Sequence, residues 1–71
     1  MKKDDLLIKL GKHIRTLREG QGITQEELAR MAKIDRSYLG AIERGERNLT
    51  VMMLEKVALQ LKVTMRDIFP K

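Results

Sequence analysis

The sequence predicts an all-α protein with a single domain. Apolar residues recur every three or four positions along most of the chain, a helix-capping motif occurs four times, and strand-like alternation is confined to short stretches that fit helices better. The chain has 71 residues, no cysteine and a formal net charge of +5. We therefore expect one domain over 1–71 with its core at about 6–69, without disulfides and without a separate sensor or catalytic domain.

The first predicted helix covers about residues 5–19. Leu7, Leu10, Ile14 and Leu17 repeat at spacings of three and four, which places them on one helix face. Gly20 follows the last apolar turn, and we expect it to adopt a positive φ that ends the helix.

Four further helices are predicted from the capping motif. In each copy a short side-chain acceptor occupies the N-cap, and the apolar residue before it can pack on the residue four positions after it. The first copy also contains a capping box formed by Thr24 and Glu27. The four copies are Ile23-Thr24 with Leu28, Ile34-Asp35 with Leu39, Leu49-Thr50 with Leu54, and Val63-Thr64 with Ile68. They predict helices at about 25–32, 36–44, 51–61 and 65–69.

The second and third predicted helices are separated by residues 33–35 alone. Two short helices joined by a three-residue turn form a helix-turn-helix, whose second helix can enter the major groove of DNA. Because helical hairpins are common, this spacing alone is weak evidence for DNA binding, and the side chains on the third helix provide a sharper test.

The outward face of the third helix carries small and basic side chains. Gly40 costs about 1 kcal/mol relative to alanine in a helix interior, which indicates that something approaches this face closely. The floor of a DNA groove would explain it; alternatively, Gly40 packs against a neighbouring helix and the arginines are merely solvated. Five residues fall within about 140° on a helical projection: Arg36, Ser37, Gly40, Ala41 and Arg44. Leu39 and Ile42 point the other way, toward the core.

Residues 11–69 resemble the helix-turn-helix domain of the phage-repressor and Cro (XRE) family. The matching segments are IRTLREGQGITQEELA, IDRSYLGAIERG and LTVMMLEKVALQLKVTMRDIF. The segment from Asp35 to Tyr38, followed by Ile42–Gly45 and Arg47–Leu49, also resembles controller proteins of restriction–modification systems. The resemblance implies a compact five-helix, lambda-repressor-like domain and a sequence-specific regulator that binds double-stranded DNA, more specifically a controller protein.

The resemblance also implies roles for individual residues. Gln25 and the free N–H groups of its helix would grip a phosphate, while Arg36 and Ser37 would read base edges. Ser37 alternatively only supports the helix start. Tyr38 would contact a phosphate or sugar, or else pack on the first helix. The family usually has glycine where this chain has Lys33, so we expect Lys33 to adopt a left-handed conformation. The expected DNA-binding residues are Thr24, Gln25, Lys33, Arg36, Ser37, Tyr38, Gly40, Ala41, Arg44, Arg47 and Asn48.

A structural ion pair between Arg18 and Glu43 is implied by the same resemblance. A carboxylate near phosphates is unfavourable, and the matching glutamate in the family pairs with the arginine that corresponds to Arg18. We assign no function to His13, and we expect neither a metal nor a cofactor, since a solitary histidine makes a poor metal site.

The C-terminal third is more apolar than its core requires. Leu54, Val57, Ala58 and Leu61 suffice to close the core, and an additional apolar patch on a small domain usually marks an interface. We expect a homodimer, with a generously packed monomer core as the alternative. The expected interface residues are Val51, Met52, Glu55, Leu59, Met65 and Phe69.

The expected function is therefore transcriptional regulation from a palindromic operator. RNA polymerase is a further candidate partner, and the second functional class is a protein-interaction module, antitoxin-like or bridging. We expect no enzyme, because Ser37 and His13 are the sole serine and histidine. No apolar stretch approaches the roughly 20 residues of a membrane span, so we expect a cytoplasmic protein without membrane contact.

Overall fold

The computed structural model describes residues 3–70, with side chains from residue 5 onward. Within these residues the chain forms five helices and no strand, as predicted: α1 (Lys3–Gly20), α2 (Gln25–Ala32), α3 (Arg36–Glu43), α4 (Val51–Leu61) and α5 (Met65–Ile68). α1 is longer than predicted at both ends, and α3 and α5 each end one residue early. Residues 1, 2 and 71 of the expected domain lie outside the described residues. None of the five helices has the length and apolarity that crossing a membrane demands.

Each of the last four helices begins at the predicted N-cap. Thr24, Asp35, Thr50 and Thr64 have extended backbone conformations, and each side chain accepts a hydrogen bond from an N–H of the first turn. The Thr24 capping box is complete, because Thr24 N–H also donates to Glu27 Oε1 at 3.0 Å. These caps satisfy helix N–H groups that have no partner within the helix, so sharp turns between short helices leave few polar groups unpaired.

The end of α1 is built differently from the prediction. Gly20 does not supply the left-handed residue after α1; it is the last residue of that helix, and Gly22 has φ +71°. The reason is that Gln21 and Gly22 continue to donate N–H groups to Arg18 and Glu19, which extends the turn. Lys33 does adopt the expected left-handed conformation, with φ 58°.

The core lies where the apolar faces of all five helices meet. Leu10 and Ile14 of α1 are buried, whereas Leu7 and Leu17 lie half-buried at its edge. α3 packs between α1 and α2, α4 packs on α2, and α5 closes the far side against α4 and α1. The buried core residues are Leu10, Ile14, Leu28, Ala29, Leu39, Ile42, Leu54, Val57, Ala58, Leu61 and Ile68.

Two glycines that the sequence analysis did not single out allow α1 to approach the end of α3. A Cβ at Gly11 would overlap the backbone carbonyl of Ile42 and lie 2.7 Å from the carbonyl oxygen of Glu43. A Cβ at Gly45, which has φ +75°, would lie 2.6 Å from the Cα of Ile8. These close contacts between backbones fix the C-terminal end of α3 on α1, and with it the orientation of the whole helix-turn-helix.

Candidate nucleic-acid interface

α2 and α3 form the helix-turn-helix, and the turn between them consists of Lys33, Ile34 and Asp35. The N–H of Lys33 donates to Arg30, and the N–H of Ile34 donates to Ala29, which closes the end of α2. Asp35 then caps α3 by accepting from Ser37 N–H at 3.2 Å. Arg36 and Ser37 are exposed at the first turn of α3, so their side chains are accessible to a ligand lying along this helix.

Five exposed basic residues belong to this motif and its flanking segments; they are called the basic surface below. One of them, Arg44, already has an acidic partner, because its Nε lies 3.1 Å from Glu46 Oε2 in an exposed ion pair. Glu46 was not among the expected site residues, although its position two residues after Arg44 is visible in the sequence. The basic surface consists of Arg30, Lys33, Arg36, Arg44 and Arg47.

Gly40, which was expected on the outward face of the third helix, is buried by side chains of its own chain, and its closeness to DNA stays a prediction. A Cβ there would lie 3.2 Å from Nη1 of Arg44 and 3.8 Å from Oε1 of Gln25. The covering atoms are the ends of flexible side chains, whereas at Gly11 the neighbouring atoms are backbone. The alternative was that Gly40 packs against a neighbouring helix. The part of a neighbouring helix that lies close to it is the Gln25 side chain of α2. Both covering side chains belong to the expected DNA-binding residues.

Arg18 and Glu43 form the ion pair that the resemblance implied. Nε of Arg18 donates to Oε2 of Glu43 at 2.7 Å, and Nη2 donates to Oε1 at 3.1 Å. The hydrogen bond that Arg18 donates to Glu43 raises the pKa of Arg18 above its ordinary value, while burial acts in the opposite direction. Both residues are buried. The pair therefore joins α1 to the end of α3 inside the protein.

The Gln25 side chain joins this ion pair, which the sequence analysis did not anticipate. Its Nε2 donates to Oε1 of Glu43 at 2.9 Å. The two residues are 18 positions apart, and no local pattern in the sequence connects them.

Tyr38 packs within its own chain, and its contact with a phosphate or sugar stays a prediction. Its ring is half-buried against the core, and the guanidinium carbon of Arg47 lies 5.1 Å from the ring centroid. An arginine over a tyrosine ring is attracted by the ring quadrupole. The stacking holds Arg47 beside α3, although Arg47 lies in the loop after the helix.

The remaining expected DNA-binding residues lie around the same motif. Thr24 and Asn48 are exposed, and Ala41 is half-buried on α3. The Thr24 hydroxyl already accepts the Glu27 N–H at 3.0 Å, so its main role in the free protein is capping. DNA contact by any of these residues remains a prediction.

A separate apolar surface lies on α4 and after α5. Val51, Met52 and Leu59 are 72%, 76% and 70% exposed, and Phe69 is 42% exposed. Glu55 is exposed on the same helix. Met65 differs from the expectation, because it is half-buried and packs partly against the core of its own chain. We call Val51, Met52, Glu55, Leu59 and Phe69 the apolar surface.

The chain matches known proteins over most of its length. A family model described as helix-turn-helix matches residues 14–68. The control protein C.MunI of Mycoplasma sp is 34% identical over 67 residues, which is 93% of this chain and 90% of that protein.

Solved structures agree with the family match. The restriction-modification controller protein C.AhdI from Aeromonas hydrophila has a TM-score of 0.87 and 41% identity, covering 89% of this chain and 96% of its own. The biofilm master regulator SinR, solved in complex with DNA, has a TM-score of 0.79 and 35% identity, covering 83% and 95%. This chain belongs to the helix-turn-helix family.

Proposed function

We propose that this chain is a sequence-specific, DNA-binding transcriptional regulator that acts as a homodimer on a palindromic operator. One observation carries the proposal: five exposed basic residues lie on α2, the turn, α3 and the loop after it, while the opposite side of α3 is buried in the core. Positive charge at the motif that can enter a groove supplies attraction to phosphates.

The proposed complex places α3 in the major groove. Arg36 would donate to guanine O6 and N7, with Ser37 beside it and Ala41 near a thymine methyl. Thr24, Gln25 and the first N–H groups of α2 would face the phosphates on one side. On the other side, Arg44, Arg47 and Asn48 would hold the backbone, and Lys33 would add a further phosphate contact.

The apolar surface supports association with a second copy. Three large aliphatic side chains with at least 70% exposure lie on one short helix, and burying each would contribute roughly 1.5–3 kcal/mol. A two-fold axis at α4 and α5, with Met65 at the edge, would place two copies of α3 about 34 Å apart, one turn of DNA.

The similarity to controller proteins supports a finer proposal. C.MunI and C.AhdI are named as control and controller proteins, and we propose that this chain regulates a restriction–modification system. RNA polymerase is then a candidate partner near the promoter. DNA binding would place the chain with the chromosome, in the cytoplasm of a bacterial cell. No enzymatic step is needed for this function.

A protein-interaction module, antitoxin-like or bridging, is the second candidate function. The apolar surface favours it, because a different protein could occupy the same exposed side chains. Duplex binding at roughly 150 mM salt separates the two functions, since an interaction module would bind poorly and without sequence preference.

The direct test of the proposed function is selection from a randomised duplex library, followed by affinity measurement on the winning site. Arg36→Ala should cost about 1–3 kcal/mol on that site and relax the preference at one base pair. Arg15→Ala is the matched control, because Arg15 is exposed on α1 and pairs with Glu19. An unchanged preference in Arg36→Ala would disprove the base-reading role.

The oligomeric state needs its own measurement. Sedimentation equilibrium of Leu59→Glu should give a monomer where the unmodified chain gives a dimer, because a buried carboxylate opposes association. Leu6→Glu on α1 serves as the control, and it should leave the dimer intact. A monomeric unmodified chain at the concentration that saturates the duplex would disprove the homodimer.

A further inference from the structure

The Gln25 amide is held in one orientation before any DNA is bound. Its Nε2 lies 2.9 Å from Oε1 of Glu43. An ionised carboxylate only accepts hydrogen bonds, so the NH2 group of the amide must face Glu43. One hydrogen of this NH2 group binds Glu43, and the second remains able to donate to another acceptor.

Glu43 is itself fixed by two contacts from Arg18. The guanidinium donates to both carboxylate oxygens, and Nη1 donates to the carbonyl of Ile23 at 2.8 Å. Ile23 directly precedes the N-cap Thr24. The chain of hydrogen bonds therefore runs from α1 to the end of α3, and back to the start of α2.

The Gln25 amide lies beside Gly40 while it contacts Glu43. Both terminal atoms of the Gln25 amide lie within 4.0 Å of where a Gly40 Cβ would be. The amide thus rests on the backbone of α3 at the position where the helix has no side chain. Gln25 is half-buried, so part of the residue remains exposed while its amide is held by Glu43.

We propose that Glu43 is a positioning residue for DNA binding, which orders the Gln25 amide so that its free N–H meets a DNA phosphate. Glu43 does not touch the DNA. This inference rests on the proposed function, and it assigns the buried ion pair a second role beyond holding α3 on α1. The physical basis is preorganisation: a glutamine that is ordered in the free protein loses less side-chain entropy on binding.

A double-mutant cycle tests the proposal. Gln25→Ala should weaken binding to the preferred duplex about tenfold in the unmodified chain. In a Glu43→Gln background the same change should weaken binding less than about twofold, because an amide at 43 no longer dictates which end of Gln25 faces it. The charge that Glu43→Gln removes alters both members of that background equally, so it cancels in the cycle.

Gln21 provides the matched control. Its Nε2 also donates within the protein, to the carbonyl of Leu61 at 2.6 Å, but it lies outside the expected DNA-binding residues. Gln21→Ala should change the affinity by the same factor in both backgrounds. Equal costs of Gln25→Ala in the two backgrounds would overturn the positioning role, and so would a Gln25→Ala variant that binds as tightly as the unmodified chain.

Two further observations keep the test decisive. If circular dichroism shows that Glu43→Gln does not fold, the double-mutant cycle is replaced by NMR measurement of the side-chain NH2 resonances in the unmodified chain. The Gln25 pair should then be displaced from free-glutamine values before DNA is added, and free-glutamine values would refute the inference. An unmodified chain that binds no duplex defeats the proposed function itself, whereas tight binding with equal costs defeats only the role of Glu43.

Discussion

Gly40→Ala should make the protein more stable and weaken its binding to DNA. Alanine is favoured over glycine in a helix interior by about 0.8–1.0 kcal/mol. The new methyl carbon would lie 3.2 Å from Arg44 Nη1, which is tight, and 3.8 Å from Gln25 Oε1, which is ordinary contact. The Arg44 side chain is 60% exposed and can move aside, so most of the helix gain should survive.

The expected gain in unfolding free energy is therefore about 0.5–1 kcal/mol, which corresponds to a rise in Tm of about 3–6 °C for a domain of this size. In the complex the methyl would enter a space filled by DNA and by the two covering side chains. Forcing a methyl into a filled space costs about 1–3 kcal/mol, and we expect that loss in duplex affinity.

Thermal unfolding and fluorescence anisotropy with the selected duplex measure the two effects. Gly20→Ala is the control, because Gly20 ends α1 and a Cβ added there would have no neighbouring atom within 4 Å; it should keep full affinity. Gly11→Ala should lose stability, since its Cβ would meet backbone carbonyls. A stabilised Gly40→Ala variant with unchanged affinity would refute close approach of DNA to this face. A destabilised variant would refute the claim that the folded protein has room for a methyl group at position 40.

Three other predictions follow from local geometry. Lys33→Gly and Lys62→Gly should each stabilise the protein by about 1 kcal/mol, because both lysines are left-handed, with φ 58° and 59°. Only Lys33→Gly should weaken DNA binding and reduce the salt slope by about 0.9; equal affinities of the two variants would exclude a phosphate contact. Arg18→Ala should lower the urea unfolding free energy by about 3–5 kcal/mol, since it leaves the Glu43 carboxylate buried without its partner, and a loss below about 1 kcal/mol would contradict a buried pair. The Thr24 backbone N–H, and then its hydroxyl, hold the pKa of Glu27 below the ordinary 4.5. Because folding lowers this pKa, the ionised Glu27 carboxylate stabilises the fold above the ordinary pKa. That stabilisation is lost as the pH falls through the folded pKa. The stability advantage over Glu27→Gln should therefore shrink in an acid unfolding series as the pH falls below 4.5, and vanish once the pH lies below the folded pKa. An advantage independent of pH would exclude the capping box as its source.

The sequence by itself determined the helices and their starts. Each N-cap hydrogen bond joins residues two or three positions apart, as between Thr24 and Glu27, so neighbouring residues decide it wherever the helix packs. The apolar spacing likewise selected the buried face of each helix, including Leu39 and Ile42. The Arg18–Glu43 pair was foreseen through family resemblance alone, because its residues are 25 positions apart.

Only the tertiary structure decided how these helices meet around the candidate interface. Gly11 and Gly45 gain their role from the backbone of another helix, and neither distance follows from the residues beside them. The burial of Gly40 and the contact between Gln25 and Glu43 depend in the same way on how α2 packs against α3. Helix formation is specified over a few residues, whereas a contact between helices depends on packing that the whole core sets at once.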